Sequence, residues 1–308
     1  MKESDKRIII SHIRESDMAV QLNDDHQSGV AAMAERFAAE FGMGDYAKIM
    51  ALLHDKGKEQ PEWQKYIRQI TGYSNDSPGI KIRPNHSFVG ACIARMCYPK
   101  IAPLIAQPIA GHHRGLYDYC EYDEQTNRSV PDGVSIEAPL AYNSPKIKWR
   151  PKDYHHLVRM LFSCLVDADS LDTERFMNPR QAALRVGYSD IDVLLGRLES
   201  HLRQLRANTM DTQVNRARNY VQDQCVKESK GEKGFYSLTV PTGGGKTLAS
   251  VLWALHHASH NQMKRIIIVI PYTSIITQTA STLKKILGED NVLEHHSNVN
   301  SEGIGDDI

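Results

Sequence analysis

The sequence predicts a mainly α-helical domain over residues 1–207, a linker over 208–234 and a partial α/β segment over 235–308. Three observations carry this reading. Apolar residues recur at helical spacing through the first part, as in Val30, Met33, Phe37 and Phe41. The charged stretch Lys227 to Gly234 then breaks the pattern. Beyond it the apolar run Phe235–Val240 meets a glycine-rich turn, Pro241–Thr247, and a helical pattern from Leu248 to His260.

Composition limits what the motifs can mean. A chain of 308 residues, 41% hydrophobic, can bury a sizeable core and divide into two units. Thirty-seven basic residues balance 37 acidic ones, which excludes nucleic-acid binding by bulk charge and leaves only local contacts. No apolar run would span a bilayer and no charged-then-apolar leader follows Met1, so a cytoplasmic protein with no membrane partner is expected. The five cysteines form no CxxC pair, which fits reduced thiols and argues against a zinc ribbon.

Taken in order, Ile8 to Asn23 reads as a strand or arm, and Asp24-Asp25 as the N-cap of a first helix ended by Gly42-Met-Gly44. A second helix spans Asp45 to His54 and a third Glu62 to Ile70. Gly72 to Pro84 has loop composition, and His86 opens a helix over Ser87–Tyr98. Ala102 to His113 is helical but interrupted by Pro103 and Pro108. Arg114 to Pro151 reads as a long loop, in which Lys146-Ile-Lys-Trp149-Arg150 is a basic patch or an anchored solvated loop. Helices are expected over Asp153–Leu171 and Ile191–Ala207. Arg197, Arg203, Arg206, Arg216 and Arg218 read first as a solvated face, with a nucleic-acid-facing surface as the alternative.

The chemistry centres on Ala51-Leu-Leu-His54-Asp55-Lys-Gly-Lys58, where a histidine and an aspartate end an apolar helix. Neighbouring helical side chains diverge by about 100°, so this pair can hold two ions only if the fold brings further ligands. His26, His86, His112, His113 and a late aspartate, Asp167 or Asp169, are the candidates. Taken singly, each histidine is an ordinary cap, core or turn residue. The two aspartates lie about 200° apart on a helix, so only one can face the ligands; Asp169 continues the apolar side and is favoured. Imidazole and carboxylate together suit manganese, iron(II), nickel or cobalt, with magnesium as a further candidate. The second motif, Thr242, Gly243, Gly244, Gly245, Lys246 and Thr247 after Pro241, is a phosphate-binding loop of the superfamily 2 helicase form. Ile266–Ile270 adds a second expected strand, and Pro271-Tyr-Thr-Ser leads into a helix.

With these motifs in order, and Glu294-His-His-Ser297 after them, the chain resembles the N-terminal part of the CRISPR-associated nuclease-helicase of type I systems. In that family an HD-type metal nuclease precedes a DExD/H helicase built on RecA-like domains. The resemblance implies that His26, His54, Asp55 and the late aspartate hold one ion, and that Asp55, His86, His112 and His113 hold the other. Two ions roughly 3.5–4 Å apart would serve in-line attack on a phosphodiester, with His54 and Asp55 at the catalytic centre and Lys58 neutralising the scissile phosphate. It further implies single-stranded DNA as substrate, an RNA-guided surveillance complex as partner, and ATP with magnesium in the full-length family. The sequence reaches Ile308 without a DExD/H motif, so no ATPase is expected and the strands after residue 235 would want neighbours. Two other readings stay open: an HD phosphohydrolase acting on nucleotides or cyclic oligonucleotides, and a fragment that binds nucleic acid or the surveillance complex without cleaving.

Overall fold

Ile10 and Ile13, separated by two polar residues, both bury their side chains against Ile67 and so anchor an N-terminal hairpin to the helices. In this computed structural model, which describes residues 8–73, 83–144, 150–183, 185 and 187–296, strand β1 (Ile10–Arg14) pairs antiparallel with β2 (Ala19–Leu22). His12 stands opposite Gln21, and an irregularity lies between Ile10 and His12. This is the only sheet among the described residues.

Helix α1 (Asn23–Ala39) starts one residue earlier than its expected cap. Asp24 and Asp25 therefore lie in the first turn, where their charges face the positive end of the helix dipole, and Leu22 stands at the N-cap without a side-chain bond. Helix α2 (Gly44–His54) buries Ala47, Ile49, Met50, Ala51 and Leu53, and a 3-10 turn (Lys56–Glu59) follows it. Then come α3 (Pro61–Ile70), with proline in the first turn where no N–H is missed, α4 (Ser87–Cys97) and α5 (Ala102–Gly111). Pro103 opens α5 and Pro108 lies inside it without ending it. The stretch expected to be loop after Arg114 contains α6 (Tyr119–Thr126), and α7 (Tyr154–Met177) runs past its expected end at Leu171. The short α8 (Pro179–Ala183) follows. Lys146 to Trp149 lie outside the described residues, while Arg150 pairs with Asp153.

One core joins α1, α2, α4, α5 and α7 through Val30, Ile49, Leu53, Ile93, Ile105, Leu161 and Leu165. Each such side chain contributes about 1.5–3 kcal/mol on burial. Since these helices also carry the candidate ligands, core packing sets where the ligands stand.

The chain divides after Arg185 rather than after residue 207. Helix α9 (Ile191–Asn208) belongs with the second unit because Leu198 and Leu202 are buried with Leu252, Leu255 and Leu283. Most of the expected linker is helix α10 (Gln213–Glu228), tied to α9 by Arg206, which donates to Gln222 and Asp223. Helices α11 (Lys246–His260) and α12 (Thr273–Leu287) complete the unit. The strands expected at Phe235–Val240 and Ile266–Ile270 join no ladder. Extended chain becomes sheet only when a neighbour supplies N–H and C=O partners, and here Phe235, Ile267 and Val269 stay exposed.

Candidate metal centre

The apolar stripes of five elements deliver polar residues to one place. His26 stands in the first turn of α1, His54 is the last residue of α2, and Asp55 follows it. His86 precedes α4, His112 and His113 follow α5, and Asp169 projects from α7. His26, His54, Asp55, His86 and His112 are buried, with exposures between 0% and 6%. His113 is exposed.

Asp55 is the hub. Its Oδ2 lies 3.3 Å from His26 Nε2 and 3.4 Å from His54 Nε2. Its Oδ1 lies 3.4 Å from His86 Nε2 and 3.5 Å from His112 Nε2. Asp169 Oδ1 approaches His26 Nε2 at 3.2 Å and His54 Nε2 at 3.7 Å. His86 Nε2 and His113 Nε2 are 2.8 Å apart, so one of them donates to the other. Asp167 lies on the exposed side of α7 and in none of these groupings.

The rings are held from behind. His54 Nδ1 donates to Ala51 O at 2.6 Å, His112 Nδ1 to Ile109 O at 2.6 Å, and His26 Nδ1 to Asp172 Oδ2 at 2.8 Å. A carbonyl or carboxylate can only accept, so each ring turns Nε2 inward. There the Nε2 atoms of His26, His54 and His112 and the Oδ1 of Asp55 are buried without an aligned hydrogen bond. Buried polar atoms ordinarily have partners. Atoms of imidazole and carboxylate that converge without them form a donor set that fits divalent cations. The groups able to share an ion are Asp55, His86, His112 and His113, then His26, His54 and Asp55, and then His54, His112 and Asp169.

Electrostatics keep the carboxylates ionised. Burial pushes Asp55 upward, but the pull of His54 and Lys58 overcomes it and holds the carboxyl well below its usual range. Asp169 follows the same pattern, burial opposing and its contacts with His26 and His54 prevailing. Burial lowers His26, but contacts with Asp169, Asp172 and Asp55 outweigh it and raise the ring to about 10. A cation at its Nε2 must displace that proton. Burial takes His86 down to about 4, against the partial opposition of Asp55.

Lys58, expected to neutralise the scissile phosphate, lies beside Asp55. Its side chain is buried and its ammonium lies 2.6 Å from Asp55 Oδ2, 3.0 Å from Ser11 Oγ and 3.4 Å from His12 Nε2. The 3-10 turn winds more tightly than an α-turn and brings Lys58 back beside Asp55. Gly57 makes this possible: a Cβ there would stand 2.1 Å from the backbone oxygen of His86.

Four residues that sequence reasoning did not single out support the cluster: Asp172, Gln21, His12 and Ser11. Asp172 had a readable signal, since it follows Asp169 by three and shares its face of α7. The other three depend on hairpin register, which nothing in the local sequence sets.

In the second unit, Gly243 and Gly245 adopt φ of 83° and 79°, a conformation open chiefly to glycine, and Gly245 caps α11 at Lys246. The loop of Thr242, Gly243, Gly244, Gly245, Lys246 and Thr247 thus leads into a helix N-terminus, as a phosphate cradle requires. Gly244 donates to Pro241 O at 3.0 Å, and Arg218 donates to Gly243 O at 2.9 Å.

An HD domain family model matches residues 23–137, and a DEAD/DEAH box helicase model matches residues 219–306. No curated protein matches the chain. An HD domain therefore precedes a DEAD/DEAH helicase segment. The first match includes His26, His54, Asp55, His86, His112 and His113 and ends before Asp169. The second includes the phosphate loop. Metal-dependent hydrolase chemistry suits the first unit and nucleotide binding the second. No described helix is long and apolar enough to cross a membrane.

Proposed function

Taking the chain as an HD domain joined to a DEAD/DEAH helicase segment, we propose that its first unit is a metal-dependent endo- and exonuclease acting on single-stranded DNA. The observation that carries this is the division of Asp55, one oxygen toward His26 and His54 and the other toward His86 and His112. In this reading Asp55 would be shared by two divalent ions, one held with His26, His54 and Asp169 and the other with His86, His112 and His113. Such ions, when bound, supply a water ionised at neutral pH and charge to stabilise the leaving oxygen of a phosphodiester. The protein's own part is to fix the ring tautomers, keep Asp55 and Asp169 ionised and leave His113 exposed at the edge of the cluster. Manganese, iron(II), nickel and cobalt suit the mixed imidazole and carboxylate set.

The attached helicase segment supports a polymeric DNA substrate over a mononucleotide. The order of the motifs supports a place in type I CRISPR interference, with recruitment by an RNA-guided surveillance complex. In the second unit Lys246 and the loop amides would hold the phosphates of ATP, and Thr247 its magnesium.

The test is incubation of metal-stripped protein with labelled single-stranded DNA, mononucleotides and cyclic oligonucleotides across these metals. Asp169→Asn, checked for folding, serves as control. Cleavage of DNA with a transition metal and without ATP, absent in the control, is expected. Turnover of small nucleotides alone would replace the proposal with a phosphohydrolase. DNA bound but uncut under every metal would leave a binding module.

A further inference from the structure

A continuous hydrogen-bonded chain runs behind the metal centre from Lys58 to His26. Lys58 Nζ lies 3.4 Å from His12 Nε2, His12 Nδ1 lies 2.8 Å from Gln21 Oε1, Gln21 Nε2 donates to Asp172 Oδ2 at 2.7 Å, and that oxygen accepts from His26 Nδ1 at 2.8 Å. Its direction follows from what each group can do. Asp172 is a carboxylate and only accepts, so Gln21 must turn its NH2 toward it and its oxygen toward His12. His12 must then carry its proton on Nδ1, which leaves Nε2 to accept from Lys58. An ammonium only donates, so both ends agree.

The hairpin builds this chain. His12 and Gln21 face each other across the strands. Neighbours on a regular strand point to opposite faces, but the irregularity between Ile10 and His12 lets Ser11 and His12 both reach Lys58. At the far end Gly29 makes room, since a Cβ there would stand 2.2 Å from Asp172 Oδ1.

We infer that Gln21 and His12 are positioning residues of the metal centre, which couple the lysine beside Asp55 to the aspartate that orients His26 and so fix both ends in their ligand-ready arrangement. The inference rests on the metal-centre reading above, and its test separates the two. Gln21→Leu, His12→Phe and the double variant would be titrated with manganese alone by calorimetry, with ion counting. Histidine ring nitrogens of the metal-free protein would be read by NMR. In the wild type His12 is expected to show a protonated Nδ1 and a bare Nε2, and Gln21→Leu to lose that preference. Each single variant should keep the wild-type ion count while binding its weaker ion on the order of 10–100-fold less tightly. The double variant should lose far less than the product of the two. A wild-type His12 protonated on Nε2, affinities within threefold of wild type, or multiplicative losses would overturn the inference. Failure of the wild type to bind manganese would instead remove the metal-centre reading, and the ring spectrum would still decide the direction of the chain.

Discussion

The two motifs of this protein are built in opposite ways. Apart from exposed His113 and half-buried Asp169, the histidine and aspartate cluster is buried among the helices of the first unit, and the outward nitrogens of His26, His54 and His112 are tied to Asp172 and to helix carbonyls. The phosphate loop of the second unit is largely exposed, with Thr242, Gly243, Lys246 and Thr247 open to solvent. A site made of keystones cannot change without cost to the fold, whereas one made of exposed backbone can lose a side chain and stay folded. Stability and ligand binding should therefore be coupled in the first unit and separable in the second.

The largest break in that contrast would come from Asp55→Ala. Lys58 would be left buried and uncompensated, so a loss of about 3–5 kcal/mol is expected in denaturant unfolding of the metal-free protein. A midpoint like that of the wild type would mean that the cluster is not a keystone. Gly57→Ala should cost roughly 2–4 kcal/mol, because the new Cβ meets backbone rather than a movable side chain. Manganese titration of the same variant should show His86 displaced as weakened binding.

Asp169→Ala and Asp167→Ala sharpen the comparison within one helix. The first is expected to lower manganese affinity and the second to leave it unchanged, since only Asp169 faces His26 and His54. The reverse result would transfer the ligand to Asp167. In the second unit, Lys246→Ala should abolish phosphate-loop binding of nucleotide, read by fluorescence of a labelled ATP analogue. Its unfolding free energy should stay within about 0.5 kcal/mol of the wild type. A larger shift would make the loop a keystone too.

The smallest effect concerns Cys164. Burial, and then the neighbouring Asp167, push its thiol up to about 11. It is therefore neutral at pH 8, and its alkylation by iodoacetamide should rise about tenfold per pH unit until that value is reached. A rate independent of pH between 8 and 10 would contradict this.

The ligands that the structure gathers were legible for a local reason. His54 and Asp55 end an apolar helical run, and His112 and His113 end another, so the sequence displays them at helix boundaries. What supports them was less legible because it is made by tertiary register. His12 and Gln21 meet across a hairpin whose irregularity no local pattern marks, and the spacing that places Asp172 on the face of Asp169 could be read only by carrying α7 past Leu171. The displaced boundary has a similar cause: α9 is amphipathic in sequence, and only packing decides that Leu198 and Leu202 belong with Leu252. The aromatic and β-branched residues of 235–240 and the β-branched run 266–270 signal strands, but sequence does not supply a neighbour.

The bond from His54 Nδ1 to Ala51 O and that from His112 Nδ1 to Ile109 O have one more consequence. Each carbonyl lies in the last turn of its helix, where the backbone leaves oxygens without N–H partners. The imidazole takes one of those oxygens for itself, so the ring is aimed by a carbonyl that only a helix end leaves open. Punctuation and function are then a single feature: a residue that let α2 or α5 wind on by another turn would erase a ligand without replacing it, and substitutions far from any histidine could silence the centre by changing where a helix ends.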